Sequence, residues 1–163
     1  MIYTDSFDPY KKFYFRNIDN GDSKFKTELV RATIDISNAH LTKRVVADYN
    51  VEFPKNNEKV LMKNYRYVYL RDAEAYFFNS VIKVDIINVN ISIFGDGHFV
   101  SEPIFIANPQ AQSEDDGLIF MNVIDTDKRL SYIVYLNTKD LTLVYKAYLP
   151  ILIPPALHGI YLK

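Results

Sequence analysis

The chain has no cysteine. Thiolate nucleophiles, disulfide frameworks and cysteine-based zinc sites are therefore excluded. Charge of one sign is also lacking: 19 Lys and Arg stand against 20 Asp and Glu, a net −1 at pH 7. Proteins that grip nucleic acid or anionic membrane concentrate positive charge, so no nucleic-acid partner is expected. No apolar stretch approaches the roughly 18 residues of a membrane-spanning helix. The opening Met1-Ile2-Tyr3-Thr4-Asp5-Ser6 has no basic region feeding an apolar run, so no secretory signal is visible. Without secretion the sequon Asn90-Ile91-Ser92 carries no weight, and a cytoplasmic chain is expected. Helical periodicity is missing over any stretch of about ten residues or more. No Ser-His-Asp set or phosphate-cradling glycine loop is recognisable.

What is present favours pleated sheet. Of 163 residues, 48% are hydrophobic and 24% charged, which describes a folded chain able to bury a core. The 13 Tyr and 11 Phe, with many Ile and Val, suit strands better than helices. Residues 1–27 read as strand, turn and strand, with alternating Phe13, Tyr14 and Phe15 before the turn at Asn20-Gly21. Leu29–Ile36 and Thr42–Ala47 alternate at period two. Tyr65–Leu70, Val81–Ile87 and Val89–Phe94 follow, then a turn at Gly95-Asp96-Gly97. Pro103–Ile106, Leu118–Ile124, Leu130–Leu136 and Leu143–Leu149 complete the strands. Ile34-Asp35, Val84-Asp85 and Leu136-Asn137 repeat one way of closing a strand. The fold class is all-β.

Three positions share a design. Glu52 in Val51-Glu52-Phe53-Pro54, Glu102 in Ser101-Glu102-Pro103 and His158 after Pro154-Pro155 each put an ionisable residue near proline at the start of a new set of strands. Glu52 and Glu102 are 50 residues apart, and Glu102 and His158 are 56 apart. A period near 50 is that of a β-propeller blade. First strands of blades line the axis, so Glu52, Glu102 and His158 are expected to converge. The units read as 1–51 (end of a blade), 52–101, 102–157 and an inner strand at 158–163. Since each blade buries its faces only against neighbours, such a chain is expected to be the C-terminal part of a longer propeller.

The run Glu52-Phe53-Pro54-Lys55-Asn56-Asn57 before Tyr65-Arg66-Tyr67-Val68-Tyr69 resembles the carotenoid cleavage oxygenases. So do Ser101–Ile106, Pro109, Glu114-Asp115-Asp116-Gly117, Lys139-Asp140-Leu141 and the closing His158-Gly159, in order over about residues 28–163. The resemblance implies a seven-bladed β-propeller with non-haem Fe(II) on its axis, held by four histidines. His158 matches the last of these ligands. Glu52 and Glu102 match carboxylates that hydrogen-bond ligand histidines, an arrangement that fixes the tautomer and raises ligand basicity. The implied activity is cleavage of a carotenoid or retinoid double bond by O₂ to carbonyl products. The isomerase branch of the family instead implies hydrolysis and isomerisation of a retinyl ester, and a metal-free remnant serving as an interaction module is a further alternative. Family members reach lipophilic substrates through an apolar patch; no residues of this sequence identify one, and the resemblance alone implies peripheral membrane contact in the intact enzyme.

Two features depart from the pattern. Leu157 replaces the usual aromatic before the histidine, and the other three ligand histidines belong to blades outside this chain. His40 and His98 lie in turns and receive no ligand role, so these residues alone are expected to be inactive. The acidic turn Glu114–Gly117 lacks calcium-loop spacing and reads as a hairpin turn. Tyr65–Tyr69 reads as strand packing, not nucleic-acid stacking.

Overall fold

In the computed structural model, residues 2–3, 27–72, 80–88, 91–94, 98–154 and 158–162 are described. The strand–turn–strand reading of residues 1–27 falls almost wholly outside them, as do the Gly95–Gly97 turn and Leu157. Twelve strands are described: β1 (Ile2–Tyr3), β2 (Thr27–Asp35), β3 (His40–Ala47), β4 (Val51–Lys55), β5 (Tyr67–Asp72), β6 (Val81–Asp85), β7 (Ile91–Phe94), β8 (Phe99–Val100), β9 (Ile104–Ala107), β10 (Gly117–Asp125), β11 (Leu130–Asn137) and β12 (Leu143–Tyr148). Among the described residues the helical structure is a 3₁₀ turn, Glu58–Val60, and no helix is long and apolar enough to cross a membrane. The chain is all-β.

Three antiparallel sheets result. The first has order β1-β2-β3, the second β4-β5-β6-β7, and the third β12-β11-β10 with both β8 and β9 on the far edge of β10. The repeated Asp/Asn endings have a physical cause. Each side chain accepts a backbone N–H two residues on and so turns the chain: Ser37 onto Asp35 at 2.9 Å, Ile87 onto Asp85 at 3.0 Å, Lys139 onto Asn137 at 2.9 Å.

The second sheet is buried on both faces. Val68 lies opposite Val84 and Leu70 opposite Ile82, and these four pack with Leu29, Val46 and Ala47 of the first sheet. The alternate residues Tyr69 and Val81 pack with Val100, Ile119, Met121, Val134 and Leu136 of the third sheet. Side chains on a strand alternate between faces, so a sheet covered on both sides reads as an unbroken apolar run. That is why β5 and β6 lack polar alternation.

Polar side chains stitch the second and third sheets together. Glu114 accepts the backbone N–H groups of Arg66 and Tyr67 at 2.8–2.9 Å. Buried Lys83 donates to Asp115 at 2.7 Å and to the Lys139 carbonyl at 2.9 Å, with its ammonium 4.2 Å from the Tyr67 ring centre. The Tyr69 hydroxyl donates to the Thr138 carbonyl at 2.9 Å. The acidic turn is thus a clasp between sheets as well as a hairpin turn. Gly117 closes it: a Cβ there would lie 2.4 Å from the Ile106 carbonyl oxygen. The segment 158–162, expected as an inner strand, forms no strand ladder among the described residues.

The clasp sets an acid sensitivity. Burial pushes the Asp115 carboxyl up, but hydrogen bonds from Lys83 and Ser113 and the Lys83 charge outweigh it and leave the group below its ordinary value. The Arg66 hydrogen bond holds Asp85 low against the opposing effect of burial. In the unfolded chain both return to about 3.9, so this stabilisation is complete above about pH 5 and lost as pH falls through the folded values. The urea midpoint should fall steeply below about pH 4. Asp115→Asn should lower the midpoint at pH 7 and flatten that slope; an unchanged slope would contradict the assignment. Gly117→Ala should cost about 1–3 kcal/mol in the same assay, because backbone and not a pliable side chain must yield.

Candidate functional site

The chain is led towards Glu102 by an anchor on β11. Ser131, fully buried, accepts the Leu149 N–H on its carbonyl at 2.8 Å, accepts the Ile153 N–H on Oγ at 2.8 Å, and donates from Oγ to the Ile153 carbonyl at 3.2 Å. Residues 149–153 are thereby tied to the third sheet. His158 lies next to the Glu102 carboxylate.

Glu102 sits between β8 and β9, where Ser101 bonds Asn122 through both its N–H (2.9 Å) and its Oγ (3.0 Å). Its residue is 5% exposed, so the carboxylate must be paired. Lys55 Nζ lies 3.0 Å from Oε1, while His158 Nδ1 and the Gly159 N–H each lie 3.3 Å from Oε2. An ionised carboxylate only accepts, so the nitrogen facing it, Nδ1, carries a proton, and in the uncharged form of the ring the lone pair lies on Nε2. The His158 side chain is 73% exposed, which leaves that nitrogen approachable. A Cβ at Gly159 would lie 2.9 Å from Ile104 Cδ1, the tip of a side chain that can shift.

Glu52 and His158 are not in direct contact. Buried Glu52 faces Arg71, with Oε2 4.0 Å from Nη2. Burial pushes the Glu52 carboxyl up against the opposing Arg71 charge. Burial lowers the Arg71 guanidinium to about 10, opposed by Glu52 and Glu102. Arg71 also donates to the Val100 carbonyl at 3.1 Å and lies over the Phe53 ring, 4.5 Å from its centre. That ring meets His158 edge to face at 5.6 Å and 67°. Glu102 and His158 thus meet, whereas Glu52 faces Arg71, which lies over the Phe53 ring that touches His158. Lys55, Phe53 and Arg71 were not foreseen; the available signal was Pro54, since proline inside a strand marks an edge or a bulge.

The other histidines stay apart. His40 pairs with Asp35 in the β2–β3 ladder and is exposed, while His98 packs edge to face on Tyr132 at 5.7 Å. Among the described residues, no group of three or more His, Asp or Glu could hold a metal ion. What the arrangement offers is one imidazole with one nitrogen fixed and the other free.

A family model described as RPE65, retinal pigment epithelial membrane protein, matches residues 1–163. The chain belongs to the carotenoid oxygenase family. Among its relatives, apocarotenoid-15,15'-oxygenase of Synechocystis is 30% identical over 92% of this chain and 31% of its own length. The mitochondrial carotenoid-cleaving dioxygenase of Mustela putorius furo is 32% identical over 68% of this chain and 21% of its own. Among solved structures, an ACO/RPE65 chimera matches with a TM-score of 0.77 and 31% identity over 83% of this chain and 30% of that one. Cobalt-substituted Synechocystis ACO matches with a TM-score of 0.79 and 28% identity over 85% of this chain. The chain therefore spans about a third or less of these oxygenase relatives, and its all-β fold is that of the family's propeller enzymes.

Because Glu102 satisfies three donors, removing it leaves a lysine and a backbone N–H without their acceptor. Glu102→Ala should cost about 1–3 kcal/mol in urea unfolding, against about 0.5 kcal/mol or less for Asp127→Ala on the exposed β10–β11 turn. Equal costs would contradict the pairing.

Proposed function

We propose that the chain forms part of a non-haem Fe(II) oxygenase that cleaves a double bond of a carotenoid or retinoid with O₂, giving two carbonyl products. The observation that carries this reading is the Glu102–His158 pair, found in a member of the carotenoid oxygenase family. Names of relatives support the substrate class, since they act on apocarotenoids, carotenoids and torulene. On this reading the blades run 52–101 and 102–157, residues 1–51 end a preceding blade and 158–163 open the closing one.

The donor set fits one corner of an iron site. His158 would hold the metal through Nε2, its exposed nitrogen, while Glu102 keeps the proton on Nδ1 and makes the ring a stronger donor. Lys55 balances the charge on Glu102 without competing for the imidazole, because it takes the other oxygen. Glu52, buried and already facing Arg71, would serve another ligand histidine contributed from outside this chain. When bound, the iron supplies the redox chemistry that lets O₂ react with the polyene. Three further histidines are required, so these residues contribute to the reaction and do not complete it. In the intact enzyme, peripheral membrane contact would give access to the lipophilic substrate.

In the native polypeptide, His158→Ala should abolish both bound iron and polyene cleavage, whereas His40→Ala on the exposed hairpin should preserve both. Glu102→Gln and Glu52→Gln should each weaken iron binding about 10–100-fold. Retained iron and cleavage in the His158 variant would overturn the proposal. Incubation with a retinyl ester alongside a carotenoid, with product analysis, separates oxidative cleavage from ester hydrolysis.

A further inference from the structure

Strand β4 does not pair regularly. Glu52 lies opposite Arg71, but Lys55 lies opposite Tyr69, so three steps on β4 answer two on β5. This is a β-bulge, and the residue that absorbs it is Phe53, at φ 55°. A bulky residue in the left-handed region is a genuine outlier, maintained only where its surroundings over-determine it. The extra residue has a consequence for facing. Arg71 and Tyr69 lie on the same face of β5, so Glu52 and Lys55 share the face turned towards the third sheet and Glu102. With regular pairing, Lys55 would lie opposite Val68 and turn towards the first sheet, away from Glu102.

We propose that this bulge is a two-pronged clamp on His158, and that Phe53 and Lys55 are positioning residues for its imidazole. Phe53 is one prong: its ring, lying under the Arg71 guanidinium at 4.5 Å, meets the His158 ring at 5.6 Å and blocks its rotation on that side. Lys55 is the other: it holds Oε1 of Glu102 at 3.0 Å and turns Oε2 towards Nδ1. The His158 side chain is 73% exposed and 158–162 has no strand ladder, so the ring depends on these contacts for a single orientation. For the proposed oxygenase the consequence is an Nε2 aimed before iron arrives. Only that consequence rests on the ligand reading; the clamp stands on the chain's own contacts.

The test is long-range ¹H–¹⁵N correlation NMR of His158 in the native polypeptide with metal removed, at a pH where the ring is neutral. One dominant tautomer, with the proton on Nδ1, and a ring-current displacement of the His158 ring protons are expected. Phe53→Leu should abolish that displacement and Phe53→Tyr should restore it. Lys55→Met, at a partly exposed position, should reduce the tautomer ratio about tenfold, and Lys55→Arg should recover it. A wild-type ring with mixed tautomers, or variants with unchanged spectra, would overturn the clamp. Iron content of the native polypeptide is a separate readout: its absence would overturn the ligand reading, while the tautomer would still decide the clamp.

Discussion

The Glu102 carboxylate is the group on which the site depends. It is 5% exposed, and a buried carboxylate without partners would be far too costly to keep ionised. Its donors come from two distant places: Lys55 on β4, and His158 with the Gly159 N–H beyond the last strand. Satisfying one side chain therefore draws a strand of the second sheet and the tail of the chain to the start of the third sheet. The same contacts fix which nitrogen of His158 is protonated. Structure and chemistry share a cause at this point, since the bonds that settle the carboxylate also leave one imidazole nitrogen free.

That junction can be placed accurately because the sheets around it cannot slide. The second sheet is covered on both faces, and a one-residue slip would exchange its two apolar sets. Lys83, Glu114 and Asp115 add directed bonds at one end of the interface with the third sheet, and Arg71 adds one to the Val100 carbonyl. Burial supplies most of the adhesion, and the polar bonds select the register.

Much of this was legible in the sequence. The aromatic and β-branched runs gave the strands because β5 and β6 are buried on both sides. The endings at Asp35, Asp85 and Asn137 gave the turns because each closes a local bond to a backbone N–H. The approach of Glu102 to His158 was expected from the repeat spacing, and the hydrogen bond between them from the family resemblance. Other features depended on three-dimensional detail. Glu114 and Asp115 read as a turn because their partners, Arg66, Tyr67 and Lys83, lie in another sheet. Glu52 looked equivalent to Glu102, but Arg71 occupies its face. The roles of Phe53 and Lys55 hinge on one extra residue in β4, which period-two reasoning cannot detect before the pairing is known.

The most direct test is iron X-ray absorption on the native protein, isolated with an antibody against residues 138–163. Stoichiometric iron co-isolating with this segment, and coordinated by imidazole nitrogen, is the expected result. Protein isolated under conditions that retain bound metal, yet carrying no iron or iron without imidazole, would contradict the role assigned to His158.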